Sequence, residues 1–487
     1  MSEKTVSKNL EFYGGTPVLL VPFSVMFIGI LWLGLNGTAL PEAFWPMVLL
    51  GLFVGLLLAK NKKDFVDALI QGISSNMLAI MLLAWFLAGV MAKLLSTTGL
   101  IEGLVWGFLG LGVTAAWFPL ITFLASALMS VSTGTAVGTL IGASPILFPV
   151  GYSLGADPLL LVGAIIGGSF VGDNLAPISD TTIVSAYSQG TKVDRVVKTR
   201  IKYVVVAGIF TVALYIGFAL FFNRGLGIAN TPEDLKAAGL LMLVVPVLLM
   251  YMMIKGQHLV TALLYSIFAG LVVALLAGLI RLSDILLVNK EQFSASGIVI
   301  DGINGMLGVA VFTVFLMGMI GTLQKGDFIE WLMVKSEKFA TTPRRAEITI
   351  VFTSLVVNAL TTAGTPSMVM LGPFVRRLGH KFKISPERRG NLLDACSTTI
   401  IGFLPYSVAV LIPFAFVGGM VENAAGINFS PVGVVPYVFY CWALMLVIIY
   451  AAFTGWGSDT ITDEQYFRES EEIYGNNLKE EIAVSNE

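Results

Sequence analysis

Residues 167–182 read Gly167-Gly168-Ser169-Phe170-Val171-Gly172-Asp173-Asn174-Leu175-Ala176-Pro177-Ile178-Ser179-Asp180-Thr181-Thr182. Apolar runs flank this stretch, Leu159–Ile166 before it and Ile183–Tyr187 after it, and together they read as the two halves of one membrane-spanning helix. Between them lie two carboxylates, an amide, four hydroxyls and a proline. Pro177 removes a helical donor and crowds the preceding turn, so carbonyls near Asp173 are expected to lose their partners. Carbonyls, hydroxyls and carboxylates together are hard oxygen ligands for a small cation. In hydrocarbon such a stretch persists only where protein or a water-filled cavity surrounds it. The expectation is half of an ion-binding site at the membrane midplane.

The surrounding chain has the composition of an integral membrane protein. It is 56% hydrophobic and only 12% charged over 487 residues, with a mean hydropathy of +0.85, whereas soluble domains carry about 25% charged residues. Apolar runs near 17–35, 44–59, 67–92, 158–190, 203–222, 238–254, 259–280, 300–324, 390–417 and 431–453 are long enough to cross a bilayer. Two further segments, 119–148 and 346–375, carry polar tips: Ser130-Val131-Ser132-Thr133-Gly134-Thr135 and Thr361-Thr362-Ala363-Gly364-Thr365-Pro366-Ser367. Each arm is expected to be too short to cross alone, which predicts re-entrant hairpins.

The basic residues support that topology. With the N-terminus inside, the basic segments Lys60–Lys63, Lys192–Lys202, Lys335–Arg345 and Arg376–Arg389 all fall inside. The basic-poor segments Asn36–Glu42, Phe148–Pro158 and Val421–Pro431 fall outside. Arg281–Ser296, with one Arg and one Lys, also falls outside. Both termini are then cytoplasmic, in a bacterial cytoplasmic membrane.

The two halves also resemble each other. At an offset of 228 residues, Asn174-Leu175-Ala176-Pro177-Ile178-Ser179 lies on Gly402-Phe403-Leu404-Pro405-Tyr406-Ser407, Asn76 on Asn304, and Asp157-Pro158 on Ser385-Pro386. Each half holds five spans and a hairpin, and an odd number inverts the second copy. The predicted fold is therefore an all-α polytopic membrane protein, an inverted repeat with broken helices at the midplane, as in secondary transporters. Its expected parts are an N-terminal segment 1–16, a first repeat 17–222, a linker 223–237, a second repeat 238–453 and an acidic solvated tail 454–487.

In that architecture the site forms where hairpin tips meet broken helices. The first half offers Ser132, Thr133, Thr135, Asp173, Asn174, Ser179, Asp180 and Thr181. The second offers Thr361, Thr362, Thr365, Asp394, Ser397, Thr398, Thr399 and Ser407. Three carboxylates and no Lys or Arg fall in these segments, so a cation is expected. Asp173, Asn174 and Thr133 are the first choices as Na+ ligands. A buried carboxylate binds H+ or Na+ but gains little from both, the minimum device for exchanging them. Asp180 suits an N-cap equally, and Asp394 is either a second titrating site or a partner of Asn358 or Asn391. Asn76 and Asn304 read as helix pins. His258 and His380 fall in loops without metal-ligand spacing. Asn36-Gly37-Thr38 and Asn428-Phe429-Ser430 match the glycosylation pattern. No phosphate loop, nucleophile–base set or basic nucleic-acid patch is found, so neither a cofactor nor a nucleic-acid partner is expected and an enzyme reading has no support.

The run Gly172-Asp173-Asn174-Leu175-Ala176-Pro177-Ile178-Ser179-Asp180-Thr181-Thr182 resembles the signature of the NhaC-type Na+/H+ antiporter family. The Ser-x-Ser-Thr-Gly-Thr tip is similar to that family's as well. The resemblance implies inverted repeats, two re-entrant hairpins, homodimers and an elevator motion, with Asp173, Asn174, Asp180 and Thr181 at the ion site. It implies Na+/H+ exchange, or alternatively a Na+- or H+-coupled carrier of a small organic acid or amino acid, for which Asn391 and Tyr406 are the expected substrate contacts. Absence of a midplane Arg or Lys leans against an anionic substrate.

Overall fold

A computed structural model describes residues 10–36, 41–222, 237–289, 294–417, 420–421 and 429–474. The linker 223–236, the end of the tail and the glycosylation positions Gly37, Thr38 and Asn428 lie outside the described residues. The described residues are mostly helical. In order come α1 (Leu20–Leu35), α2 (Trp45–Leu58), α3 (Lys62–Ile73), α4 (Asn76–Thr97), α5 (Leu100–Gly110), α6 (Phe118–Thr133), α7 (Ala136–Ser153) and α8 (Pro158–Leu175). They are followed by α9 (Asp180–Ser188), α10 (Val193–Gly217), α11 (Val244–Ile254), α12 (Leu259–Leu276) and the single turn α13 (Leu282–Ile285). A two-stranded antiparallel hairpin, Leu287–Asn289 on Ser294–Ser296, precedes α14 (Ile298–Lys325). The chain continues through α15 (Phe328–Glu337), α16 (Pro343–Thr361), α17 (Gly364–Lys381), α18 (Pro386–Ile401), α19 (Val408–Val417), α20 (Phe439–Thr454) and α21 (Asp463–Tyr474).

Among the described residues, nine helices are long and apolar enough to cross a membrane. The protein is an all-α polytopic membrane protein. Three expectations change. The span at 67–92 is two helices, because α3 ends at Ile73 and Ser75 caps the separate α4 by accepting the Leu78 N–H. Helix α7, eighteen residues long and apolar on average, is long enough to span by itself, so this arm is not too short to cross. Asn76 and Asn304 are both exposed and pin nothing.

Residues divide into two compact units, each drawn from several stretches of sequence. The first comprises residues 1–172, 209–329 and 402–441. Its centre is α14, packed on α4 and α3. Glycines set that spacing: a Cβ at Gly89 would stand 2.1 Å from the carbonyl oxygen of Gly302, so the two backbones touch. Lys62 ends α2 by donating from Nζ to the carbonyls of Leu56, Leu57 and Ala59.

The second unit comprises residues 173–208, 330–401 and 442–487. Here α18 is buried along almost its whole length, polar residues included. The described part of the tail, to Tyr474, is not a free solvated segment. Helix α21 packs on α17, with Tyr466 stacked on His380 at 4.4 Å and Lys383 Nζ 2.7 Å from Asp463. Arg376 pairs with Glu472 at 2.6 Å, and buried Arg389 pairs with Glu469. His380, expected in a loop, is therefore a buried residue of α17 whose Nε2 meets Ser470 Oγ at 3.0 Å.

Candidate functional site

The break in the quoted stretch falls where Pro177 puts it. Helix α8 stops at Leu175 and α9 starts at Asp180. Without an N–H at Pro177, the carbonyl four residues back, that of Asp173, has no helical donor. It is not left loose. Thr181 Oγ1 and Thr182 Oγ1 donate to it at 3.1 and 2.9 Å. The next carbonyl, of Asn174, accepts from Arg200 Nη1 at 3.3 Å. Side chains thus replace the helical donors, which changes the expected supply of free carbonyls at this break.

Asp173 is buried, 7% exposed, and its Oδ1 accepts from Ser179 Oγ at 3.4 Å. Ser179 Oγ also lies 3.0 Å from Thr181 Oγ1. Asn174 is fully buried, and its Oδ1 accepts from Thr398 of α18 at 3.3 Å. Asp180 is exposed in the first turn of α9, and Thr365 Oγ1 of the second hairpin donates to its carboxylate at 2.5 Å. The N-cap position of α9 is Ser179, whose side chain makes no capping bond, while Asp180 links α9 to the hairpin tip.

That tip is a tight reversal. Helix α16 ends at Thr361, Thr362 takes the left-handed backbone at φ +49, and α17 starts at Gly364. A threonine held there carries about 1–3 kcal/mol of local strain, maintained by Thr361 Oγ1, which bonds Val357 O at 2.8 Å and meets Ser367 Oγ at 2.5 Å.

The residue that sequence reasoning missed is Arg200. It was counted in an inside basic segment, yet its side chain is fully buried and Nη1 stands 2.5 Å from Asp394 Oδ2, a carboxylate equally buried. Arg200 Nε donates to Asn391 Oδ1 at 2.9 Å, Nη1 to Thr182 Oγ1 at 3.2 Å and Nη2 to Ser185 Oγ at 3.4 Å. Ser185 Oγ in turn donates to Asp394 Oδ2 at 2.9 Å. Asp394 is therefore neither a lone carboxylate nor a partner of Asn358, which instead donates to Ser397 Oγ at 2.8 Å. Asn391, expected to touch substrate, holds Arg200 and donates to Thr199 Oγ1 at 2.8 Å. The signal was present in the periodicity: Val196, Arg200, Tyr203 and Ala207 form the buried stripe of α10, and Arg200 occupies one of its steps.

Thr399 of α18 donates to the carbonyl of Ala395 in its own helix at 2.6 Å, and the remaining candidates belong to the first unit. Gly134 at φ +70 ends α6, and Thr135 Oγ1 caps α7 by accepting the Gly138 N–H at 3.3 Å. Ser132 and Thr133 donate to carbonyls of their own helix, Leu128 O at 2.7 Å and Met129 O at 2.9 Å. One turn earlier Ser130 Oγ accepts the Gly172 N–H at 3.0 Å and donates to Ser169 O, so α6 lies directly on α8. Only glycine fits at 172, because a Cβ there would sit 2.2 Å from Ser130 backbone atoms. The second expected break is also present: α18 ends at Ile401, and Ser407 caps α19 by accepting the Val410 N–H at 3.2 Å. Tyr406 is buried with its ring edge-on to Phe27 at 5.7 Å.

Known proteins resemble the chain along nearly its full length. A malate-2H+/Na+-lactate antiporter of Bacillus subtilis is 24% identical over 74% of this chain and 79% of its own. The Na+/H+ antiporter NhaC of Alkalihalophilus pseudofirmus is 21% identical, covering 85% and 91%. An arginine/ornithine antiporter, ArcD of Halobacterium salinarum, is 23% identical, covering 88% and 89%. The sequence profile of the Na+/H+ antiporter family matches residues 8–220 and 235–456. With the profile running through both broken helices and both hairpins, the chain belongs to the Na+/H+ antiporter family, a family of membrane transporters.

Proposed function

We propose that this secondary transporter exchanges Na+ for H+ through one carboxylate, Asp173, by alternating access between inverted repeats at 17–222 and 238–453. The observation that carries this reading is how the three candidate carboxylates sort. Asp394 is matched by Arg200, Asp180 is exposed, and Asp173 is buried inside a helix break among hydroxyls. Burial favours the protonated acid, and a cation beside the carboxylate favours its ionised form, so each ligand weakens the hold on the other. Asn174, Ser179 and Thr181 supply neighbouring oxygens suited to a hard cation.

The test is ion flux into liposomes with a pH dye trapped inside and a pH gradient imposed. Na+ alone is expected to dissipate the gradient. A second reading, coupled carriage of an organic acid or amino acid, is favoured by the relatives named for malate, lactate, arginine and ornithine. Buried Arg200 does not favour an anion, since its charge is already matched by Asp394. If wild type ignores Na+ until malate, lactate or arginine is supplied, the second reading replaces the first.

A further inference from the structure

The second unit contains a cavity of about 720 Å³ at the end of α9 away from the helix break. Its walls are the turn between α9 and α10, the first residues of α18, the strand-like segment 459–461 and the inner face of α21. The volume falls within the range of small-molecule sites, roughly 300–1,000 Å³.

The lining carries both signs of charge, but the carboxylates are already engaged. Glu472 and Glu469 hold Arg376, and Glu469 also takes Arg389. Glu387 accepts from Thr191 Oγ1 at 2.6 Å and has Arg195 only at 4.0 Å. Asp459 caps its neighbour by accepting the Thr460 N–H at 3.0 Å. Lys192 and Arg468, by contrast, have no ion pair among the described residues, and Arg195 has only that distant one. Two helices also begin at this cavity, α10 directly after Lys192 and α18 directly after Ser385, each adding partial positive charge. The opposing C-terminus of α9 contributes less, because the N–H groups of Gln189, Gly190 and Thr191 close onto its last carbonyls.

We infer that this cavity binds a phosphate-bearing ligand through Lys192, Arg195 and Arg468. Guanidinium groups meet phosphate oxygens with paired charge-assisted bonds, and an ammonium adds a point charge. Arg468 lies on α21, while Lys192 and Arg195 lie at the start of α10. A bound phosphate therefore clamps the tail helix to the helix that carries Arg200. The phosphate comes either from a soluble compound or from an anionic lipid headgroup.

The test uses the purified full-length protein and a triple variant, K192Q/R195Q/R468Q, whose changed side chains are exposed. Pyrophosphate is titrated calorimetrically in neutral detergent, and melting temperatures are compared in discs of phosphatidylcholine with and without phosphatidylglycerol. A soluble ligand predicts pyrophosphate binding that weakens by about tenfold or more in the triple variant. A lipid source predicts that phosphatidylglycerol raises the melting temperature of wild type and not of the variant. If neither probe separates the two proteins, the inference is wrong. Equal pyrophosphate affinity in both proteins, with no lipid effect confined to wild type, overturns it as well.

Discussion

Asp173, Asp180 and Asp394 are the same side chain in three environments. Asp394 has a guanidinium 2.5 Å away with both groups out of solvent. Such a pair adds little net stability, but removing one partner strands a buried charge at a cost of about 3–5 kcal/mol. Arg200→Met alone and Asp394→Asn alone are thus expected to lower the melting temperature and folded yield sharply. The double variant is expected to recover much of that loss, a coupling measurable in detergent by thermal unfolding. Independent, additive losses would show that the two residues do not act as a pair. This part of the site was hidden in the sequence because Arg200 sits in a run with Lys192, Arg195, Lys198 and Lys202, which reads as a solvated inside segment. Local charge density outweighed the helical period, and only that period marks Arg200 as inward.

At the scale of elements, the helix break was legible and its lining was not. Pro177 and Pro405 interrupt apolar runs, and both interruptions fall between helices, α8–α9 and α18–α19. The glycine- and threonine-rich tips likewise fall at the reversals α6–α7 and α16–α17. A proline states which donor is missing but not what replaces it, and here Thr181, Thr182 and Arg200 do so. Pro177→Ala restores an N–H facing the Asp173 carbonyl. The expected result is a protein at least as heat-stable as wild type whose Na+-driven proton flux falls by about tenfold, equivalent to ~1.4 kcal/mol of barrier. Unchanged flux would mean that the helix break at Pro177 has no part in transport. Helix lengths were read less well. Ser74 and Ser75 split an apolar run that composition alone joins, and α7 turned out long enough to span.

For the whole molecule, composition decided the class, and the sequence signature together with the family profile decided the lineage. The docked tail was not legible, because the partners of Asp463, Glu469 and Glu472 are the basic residues Lys383, Arg389 and Arg376, some 80 to 96 positions earlier. Acidic tails read as solvated until the fold brings such cations to them. The central claim is that one carboxylate serves both ions, and it is tested most directly by proton release. Purified protein in weakly buffered detergent solution is mixed with NaCl, using choline chloride as the control, and the pH is followed with a dye. Competition at Asp173 predicts proton release on adding Na+ to wild type, saturating with Na+ concentration, and none from a folded Asp173→Asn variant. Release of the same size from that variant, or none from wild type at any pH at which the protein stays folded, would contradict the account.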